Sequence, residues 1–381
     1  MNELYAAAPV IAFRADASRL IGSGHVMRCL TLADALAAQG ADCHFLCRVH
    51  DGHLIERISA HGHRVHRLSL PDEPDGEGAS PAVTEDVPAH ADWLGVAWAV
   101  DAEQSRHVLA ALQPDWLVVD HYALDERWED IVTPGGCRVL VIDDLADRAH
   151  RADLLLDQNL GRRAVDYADL VPEGCRVLVG PTYALLRPEF ADWREASLAR
   201  RQGQPRLERL LITLGGVDQD NVTGRVLEVV SQCPLPDDLQ ITVVMGATAP
   251  WLDDVRAQAR WMAWPTEVVV NVDDMARRMA EADLGIGAAG STSWERCCLG
   301  LPTVMVALAE NQVEIARHLD EAQAAIHVGT TATSIWADRL QRVMAEITAA
   351  PARLDAMTHH AAGLTEGQGA QALVEHLLRD G

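Results

Sequence analysis

Short apolar runs alternate with helix-like segments along almost all of this 381-residue chain. Such alternation is typical of a parallel sheet whose faces are covered by helices. The predicted strands of the first half are 10–13, 43–47, 116–119, 138–142, 154–156 and 176–179. Those of the second half are 210–214, 240–245, 267–270, 284–286, 303–306 and 325–328. The pattern therefore predicts an α/β fold.

The length of the chain and the repeated plan of its halves predict two domains, because a domain usually has roughly 100 to 200 residues. Each half opens with a strand that runs into a glycine-rich turn. We therefore expect two Rossmann-like domains that face each other across a cleft. Their predicted bounds are 9–188 and 209–381, with a polar linker at 189–208. Pro, Gly, Asp and Glu are abundant at 71–90, which indicates an exposed insertion on the first domain.

The charged residues exclude several classes of protein. The chain has no lysine, so all 32 basic residues are arginines. This excludes a Walker-type phosphate loop, a Schiff-base enzyme and a pyridoxal phosphate lysine. The formal net charge of -24 disfavours binding to nucleic acid or to an anionic membrane.

Three further features predict a cytoplasmic protein. No apolar run approaches the roughly 18 residues that a membrane-spanning helix needs. The amino-terminal segment contains Glu3 and lacks the basic region of a secretory signal. The eight cysteines are scattered along a long chain, which favours reduced thiols over a disulfide scaffold.

A glycine-rich turn at 22–28 follows the first strand and carries His25. At such a turn, unpaired backbone N–H groups can hold an anion or position a reactive side chain. The turn is not a dinucleotide fingerprint, because the last glycine of that motif would fall at Met27. His25 is therefore a candidate general base, and a histidine that only caps or packs the helix is the alternative.

In the second half, small residues at 285–291 lead into a predicted helix with hydroxyl residues at its start. This arrangement allows close backbone contact and presents N–H groups to a phosphate, so we predict a diphosphate site. Glu295 lies three residues after Thr292, and it either closes a capping box or binds the hydroxyls of a ribose. The pair Gly215 and Gly216 either forms the opposite wall or is only a tight turn.

Polar residues also follow two strands of the first half. Asp120 and Tyr122 come after one strand, and Asp143 and Asp144 come after the next. Ligands of α/β proteins bind at this end of the strands, so both groups are candidates for the cleft. For Asp143 and Asp144 the alternative is a loop cap or a buried structural carboxylate. Adjacent side chains diverge and no third ligand lies nearby, so we predict no metal.

An ordered set of motifs resembles the PseG family. In the first half the motifs are FRAD at 13–16, IGSGHVMRCL at 21–30, VIDDLA at 141–146, LLDQN at 155–159 and GPTYALLR at 180–187. In the second half they are LGG at 214–216, GSTSWE at 290–295 and ENQ at 310–312. The resemblance covers most of the chain, from about residue 9 to 330.

The resemblance implies the type B glycosyltransferase fold, which is shared with MurG glycosyltransferases. It also implies hydrolysis of UDP-2,4-diacetamido-2,4,6-trideoxy-β-L-altropyranose on the way to pseudaminic acid. By resemblance, His25 is the catalytic base and Tyr122 a second catalytic residue. The candidate substrate-binding residues are Arg14, Asp16, Gly22, Ser23, Gly24, Arg28, Gly215, Gly216, Ser291, Thr292, Glu295 and Asn311. Related proteins act in spore-coat polysaccharide synthesis, so the sugar could differ.

These inferences together predict an inverting UDP-sugar hydrolase that uses neither a metal nor a cofactor. Water would attack the anomeric carbon while His25 takes its proton, and UDP would leave from the opposite face. One alternative is a UDP-sugar glycosyltransferase that deprotonates an acceptor hydroxyl. Another is a non-catalytic subunit that binds a nucleotide sugar. Fold alone does not choose between them.

Overall fold

The computed structural model describes residues 8–70, 88–203 and 206–379. The chain forms two compact units and crosses between them twice, at Leu185–Leu186 and at Gln368–Gly369. We call the unit that ends at Leu185 and resumes at Gly369 the amino-terminal unit, and Leu186–Gln368 the carboxyl-terminal unit. The predicted insertion lies mainly at 71–87, outside the described residues.

The amino-terminal unit is built on a seven-stranded sheet in the order β3-β2-β1-β4-β5-β6-β7. All neighbouring strands are parallel. The strands are β1 Val10–Ala15, β2 Asp42–Arg48, β3 Arg64–Leu68, β4 Trp116–Asp120, β5 Arg138–Ile142, β6 Leu154–Asp157 and β7 Arg176–Val179. The helices between them are α1 Gly24–Ala37, α2 Ile55–Ala60, α3 Trp98–Leu112 and α4 Glu126–Val132. Short 3-10 helices lie at Ala91–Leu94, Ala164–Tyr167 and Pro181–Tyr183.

Both faces of this sheet are buried, which explains why its central strands are continuous apolar runs. Successive side chains of a strand point to opposite faces. Ile11 and Phe13 of β1 therefore enter the core under α1, whereas Ala12 enters a second core on the other face. On the first face the rings of Phe13 and Phe45 stack with centroids 4.7 Å apart.

The carboxyl-terminal unit is built on a six-stranded parallel sheet in the order β10-β9-β8-β11-β12-β13. Its strands are β8 Arg209–Thr213, β9 Gln240–Met245, β10 Thr266–Val270, β11 Leu284–Ala288, β12 Thr303–Ala307 and β13 Ala325–Thr330. Its first helices are α5 Pro188–Arg201, α6 Val222–Ser231, α7 Leu252–Ala259, α8 Met275–Glu281 and α9 Thr292–Cys298. They are followed by the 3-10 helix Glu310–Gln312 and by α10 Val313–Glu321, α11 Ile335–Ala349 and α12 Arg353–Ala362.

The last helix, α13 Gly369–Arg379, belongs to the amino-terminal unit. Its Leu373 and Leu377 are buried in the core that α1 covers. The indole N–H of Trp116 donates to the carbonyl of Leu377 at 3.0 Å. The division thus differs from the predicted domain at 209–381, because a contact between distant parts of the chain returns this helix to the first sheet.

The segment 189–208 is not the linker that the sequence predicts, because most of it forms helix α5. This helix is part of the carboxyl-terminal unit. Its polar composition is typical of a linker, but its side chains donate hydrogen bonds to backbone carbonyls of that unit. The Ser197 hydroxyl donates to Leu299 at 2.7 Å, and Arg201 donates to Ala282 at 2.8 Å.

None of the helices in the described ranges combines the length and the apolar character that a bilayer crossing requires.

Candidate active site

His25 lies at the carboxyl end of the first sheet, in the first turn of α1. The preceding turn depends on Gly22, whose φ of +81° is in the left-handed region and whose N–H bonds the Ser18 carbonyl at 2.9 Å. Nδ1 of His25 lies 2.6 Å from Oδ1 of Asp120. Asp120 ends β4, the parallel neighbour of β1. Two adjacent strand ends therefore bring together residues that are 95 positions apart.

The Asp120 carboxylate is fully buried and forms an ion pair with Arg28, which lies one turn after His25 in α1. Nε of Arg28 donates to Oδ2 at 2.7 Å, and Nη2 donates to Oδ1 at 2.7 Å. Burial by itself would raise the pKa of Asp120, but the charge of Arg28 and the hydrogen bonds from Arg28 and His25 outweigh it and hold the pKa far below its usual range. The carboxylate is therefore ionised, and it accepts the proton on Nδ1 of His25.

This pairing leaves Nε2 as the basic nitrogen of a neutral His25. No hydrogen bond to a described residue engages Nε2, and the side chain keeps 9% of its surface exposed. An imidazole held in one tautomer by a buried carboxylate, with its other nitrogen free, is the arrangement of a general base.

The ring of Tyr122 contacts the ring of His25, while its hydroxyl is hydrogen-bonded to Asp144. The two rings are 4.6 Å apart and nearly perpendicular. The hydroxyl donates to Oδ2 of Asp144 at 2.5 Å, and Nη1 of Arg28 donates to the same oxygen at 2.6 Å. Burial, and then the Asp144 charge, raises the pKa of Tyr122 well above its ordinary value. The phenol therefore stays protonated, and its catalytic role remains a prediction.

Asp143 and Asp144 have different surroundings, which separates the two alternatives for this pair. Asp143 is fully buried, accepts from the backbone N–H of Ala146 at 2.8 Å and forms an ion pair with Arg148 at 2.9 Å. It is a loop cap. Asp144 instead joins the His25 network through Arg28 and Tyr122, and its other oxygen accepts from Asn159 at 2.9 Å.

Arg14 and Asp16 lie in a buried ion-pair cluster. Their nearest charged atoms are 2.7 Å apart, and Arg14 also pairs with Asp101 at 2.7 Å. Oδ1 of Asp16 accepts from the backbone N–H of Arg48 at 2.7 Å. The side chains of Arg14 and Asp16 have no exposed surface. These surroundings differ from the ligand-facing positions that the sequence predicts for them.

The other predicted contacts in the first half are divided between buried and open positions. Arg28 is committed to Asp120 and Asp144, which differs from the predicted substrate contact. Ser23 is exposed at the start of α1, and its hydroxyl makes no hydrogen bond to a described residue. A Cβ at Gly22, on one side of Ser23, would meet no atom within 4 Å, so the backbone is open there.

The residues that are predicted to bind the nucleotide lie at the carboxyl ends of neighbouring strands in the second sheet. Gly215 and Gly216 follow β8, Ser291 and Thr292 follow β11, and Asn311 follows β12. These three strands are neighbours in the sheet. Gly215 has a φ of +103°, so this pair makes a turn that other residues rarely adopt. Among hydrogen bonds between described residues, none uses the side chains of Ser291, Thr292 or Asn311.

Glu295 does not close a capping box, since α9 is capped at Ser291 without a side-chain hydrogen bond. Its carboxylate is 17% exposed and lies 3.9 Å from Arg187. Burial raises the pKa of Glu295 to about 7, although the Arg187 charge opposes the shift. The capping alternative thus loses its support, and the ribose contact remains a prediction.

Arg296 is a buried residue of this region that the sequence reasoning missed. Its Nη2 donates to the carbonyl of Ala288 at 2.5 Å and to the Ser293 hydroxyl at 3.1 Å. A side chain at Gly287 would collide with its guanidinium, so the glycine makes room for it. Arg296 therefore links the end of β11 to the start of α9 and fixes the loop between them.

The fold defines the class of protein. Both units are parallel Rossmann-like domains, the architecture of type B glycosyltransferases. MurG from Acinetobacter baumannii aligns over 98% of this chain and 99% of its own, with a TM-score of 0.67 and 17% identity. Residues 209–376 match the family model of the glycosyltransferase family 28 C-terminal domain. The predicted fold class is confirmed.

The sequence relatives are more specific. The chain is 27% identical over 312 residues to the UDP-2,4-diacetamido-2,4,6-trideoxy-β-L-altropyranose hydrolase of Campylobacter jejuni, covering 81% of this chain and 95% of that protein. It is also 26% identical over 192 residues to the spore coat polysaccharide biosynthesis protein SpsG of Bacillus subtilis, covering 47% of this chain and 55% of that protein. The resemblance to the PseG family is confirmed.

Proposed function

We propose that this protein hydrolyses a UDP-activated diacetamido-trideoxyhexose to the free sugar and UDP, in pseudaminic acid biosynthesis. The observation that carries the proposal is the pairing of His25 with Asp120 at 2.6 Å, which leaves Nε2 as the base. The similarity to the Campylobacter hydrolase supports the substrate class. The proposal includes a metal-independent reaction in the cytoplasm, as expected from the sequence.

In the proposed reaction, Nε2 of His25 removes a proton from water as the water oxygen bonds to the anomeric carbon. The bond from that carbon to the β-phosphate oxygen breaks, and its electron pair leaves with UDP. Attack from the opposite face inverts the configuration. Asp120 orients the ring and stabilises the imidazolium that forms, while Arg28 holds Asp120. General-base assistance of this kind contributes about 10² to 10⁴ in rate.

The carboxyl-terminal unit supplies the proposed UDP site. A Cβ at Gly290 would meet no atom within 4 Å, so the backbone is open to close approach by a phosphate. The hydroxyls of Ser291 and Thr292 have no described partner and can donate to diphosphate oxygens. These groups would stabilise the charge on departing UDP, a good leaving group that needs no strong general acid. Glu295 would accept from the ribose hydroxyls.

The match to glycosyltransferase family 28 favours transfer as the second candidate function. Both reactions use the same base, and they differ in whether water or an acceptor hydroxyl supplies the oxygen. The test is release of UDP from the UDP-sugar in ¹⁸O-water without an acceptor. Hydrolysis at carbon predicts release at a useful rate with ¹⁸O in the sugar. An obligatory acceptor would favour transfer instead, and ¹⁸O in UDP would contradict attack at carbon.

A further inference from the structure

Three aromatic rings, those of Trp93, Tyr122 and His90, form a continuous cluster with the proposed base His25. The ring of Trp93 lies 5.5 Å from that of Tyr122, with an interplanar angle of 27°, and 6.0 Å from that of His25. His90 contacts both, at 4.4 Å from Trp93 and 5.4 Å from Tyr122. Trp93 and His90 have no part in the proposed proton transfer. They form an apolar wall beside it.

The wall is held in place from beneath. Trp93 lies on the 3-10 helix Ala91–Leu94, whose Leu94 is buried in the core. Gly95 ends this helix with a φ of +70°, and a Cβ there would lie 2.8 Å from the His50 ring. This close packing fixes the segment that carries Trp93, so the ring is a preorganised surface.

The indole N–H of Trp93 is the polar group of this wall. The indole N–H of Trp116 donates to Leu377, and that of Trp128 donates to Asp101. Trp93 is only half-buried, and no hydrogen bond to a described residue uses its N–H. It therefore offers a ligand a flat apolar face with one donor at its edge.

His90 adds a second, uncharged surface. Burial lowers the pKa of His90, and the nearby charge of Arg148 lowers it further against the opposing charge of Asp147. Its ring is therefore neutral at neutral pH. A neutral ring stacks against an apolar substituent without the hydration cost of a cation.

An acetamido group matches this combination. Its methyl group can pack on the aromatic faces, and its carbonyl oxygen can accept the indole N–H. The distance to His25 indicates which substituent reaches the wall, because the carbon next to the anomeric carbon lies closest to the site of water attack. We infer that Trp93 and His90 form a subsite for the acetamido group at C2 of the sugar. This inference rests on the proposed function.

The test is equilibrium binding in a His25→Asn background, where turnover does not consume the ligand. The probes are the UDP-2,4-diacetamido-2,4,6-trideoxyhexose, its analogue with a hydroxyl at C2, and UDP alone. Trp93→Ala removes the wall and the donor, while Trp93→Phe keeps a ring and removes only the donor. Trp261→Ala is the matched control, because Trp261 is 89% exposed in the other unit.

With Trp93 intact, the acetamido compound should bind about tenfold more tightly than the hydroxyl analogue. Trp93→Ala should make the two nearly equal, Trp93→Phe should lose about half of the logarithmic preference, and UDP alone should bind all variants alike. An unchanged preference in both Trp93 variants, or an equal loss for UDP alone, would overturn the subsite only. If Trp93→Ala does not fold, Trp93→Phe still decides. Failure of the parent protein to bind any of the three probes would overturn the proposed function and the subsite with it.

Discussion

The carboxylate of Asp120 lies between His25 and Arg28, accepting from Nδ1 of one at 2.6 Å and from two nitrogens of the other at 2.7 Å. This relationship gives Asp120 a positioning role: it fixes the tautomer of the base without touching the substrate. Asn at this position would present an amide of the same shape, but without the charge that favours the imidazolium.

Asp120→Asn should therefore lower kcat by about 10² to 10⁴ while the affinity for UDP stays the same. Steady-state kinetics and UDP titration measure the two quantities. Asp169→Asn changes an exposed carboxylate of the same unit and should leave both unchanged. Normal turnover in Asp120→Asn would show that the carboxylate does not assist His25.

The two neighbouring aspartates should respond differently to the same substitution. Asp143→Asn breaks a buried ion pair with Arg148 and should lower the free energy of unfolding by about 3 kcal/mol. Asp144→Asn keeps an acceptor for Tyr122 and Arg28 but loses the charge that pairs with Arg28 and turns its amide nitrogen toward Asn159. Because Asp144 is 14% exposed, its stability cost should be smaller, about 1 to 2 kcal/mol. Its kcat should fall more than that of Asp143→Asn. Denaturant unfolding and steady-state turnover of both variants measure these effects. A larger loss of stability in Asp144→Asn, or a larger loss of kcat in Asp143→Asn, would contradict the assignment.

Glu295 should make the protein less stable as the pH rises. Its pKa is raised from 4.5 to about 7, so the folded chain holds this proton more tightly than the unfolded chain does. Between these two pH values the folded state binds more protons, and its stability falls as the pH increases. Glu295→Gln removes the effect.

The difference in free energy of unfolding between Glu295→Gln and the parent protein should therefore shift in favour of the variant by up to about 3 kcal/mol between pH 4.5 and pH 8. Denaturant unfolding at several pH values measures this difference. Glu310→Gln, at an exposed carboxylate, should show no such trend. A gain independent of pH would mean that the pKa of Glu295 is the same in the folded and the unfolded chain.

Gly290→Ala tests whether a phosphate approaches the backbone of the loop between β11 and α9. The protein itself has room for the added methyl group, so stability should be unchanged. A bound diphosphate would meet that methyl group, and the affinity for UDP should fall by about tenfold. Gly174→Ala, at another open glycine, serves as the control. Unchanged UDP affinity in Gly290→Ala would place the diphosphate elsewhere.

The sequence predicted most strands because their burial on both faces leaves a continuous apolar run. β3 was missed since it lies at the edge of the sheet, where Arg64, His66 and Arg67 interrupt that run. Local patterns also explain why α13 was assigned to the second domain. Its partners, α1 and Trp116, are hundreds of residues away, and only the folded chain brings them together.

The site was predicted in part. The glycine-rich turn identified His25 because strand ends and helix starts have a local pattern. The pairing with Asp120 spans 95 residues and has no such pattern. Arg14 and Asp16 belong to a conspicuous motif, yet the sequence does not show that Asp101 and Arg48 bury them. Trp93 was overlooked because it borders a segment whose composition indicates an exposed insertion.

The central claim is that His25 takes the proton from the attacking water, and His25→Asn tests it most directly. Single-turnover release of UDP should slow by at least about 10², while the equilibrium affinity for UDP stays within about twofold. A His25→Asn protein that releases UDP at the parent rate would contradict the account.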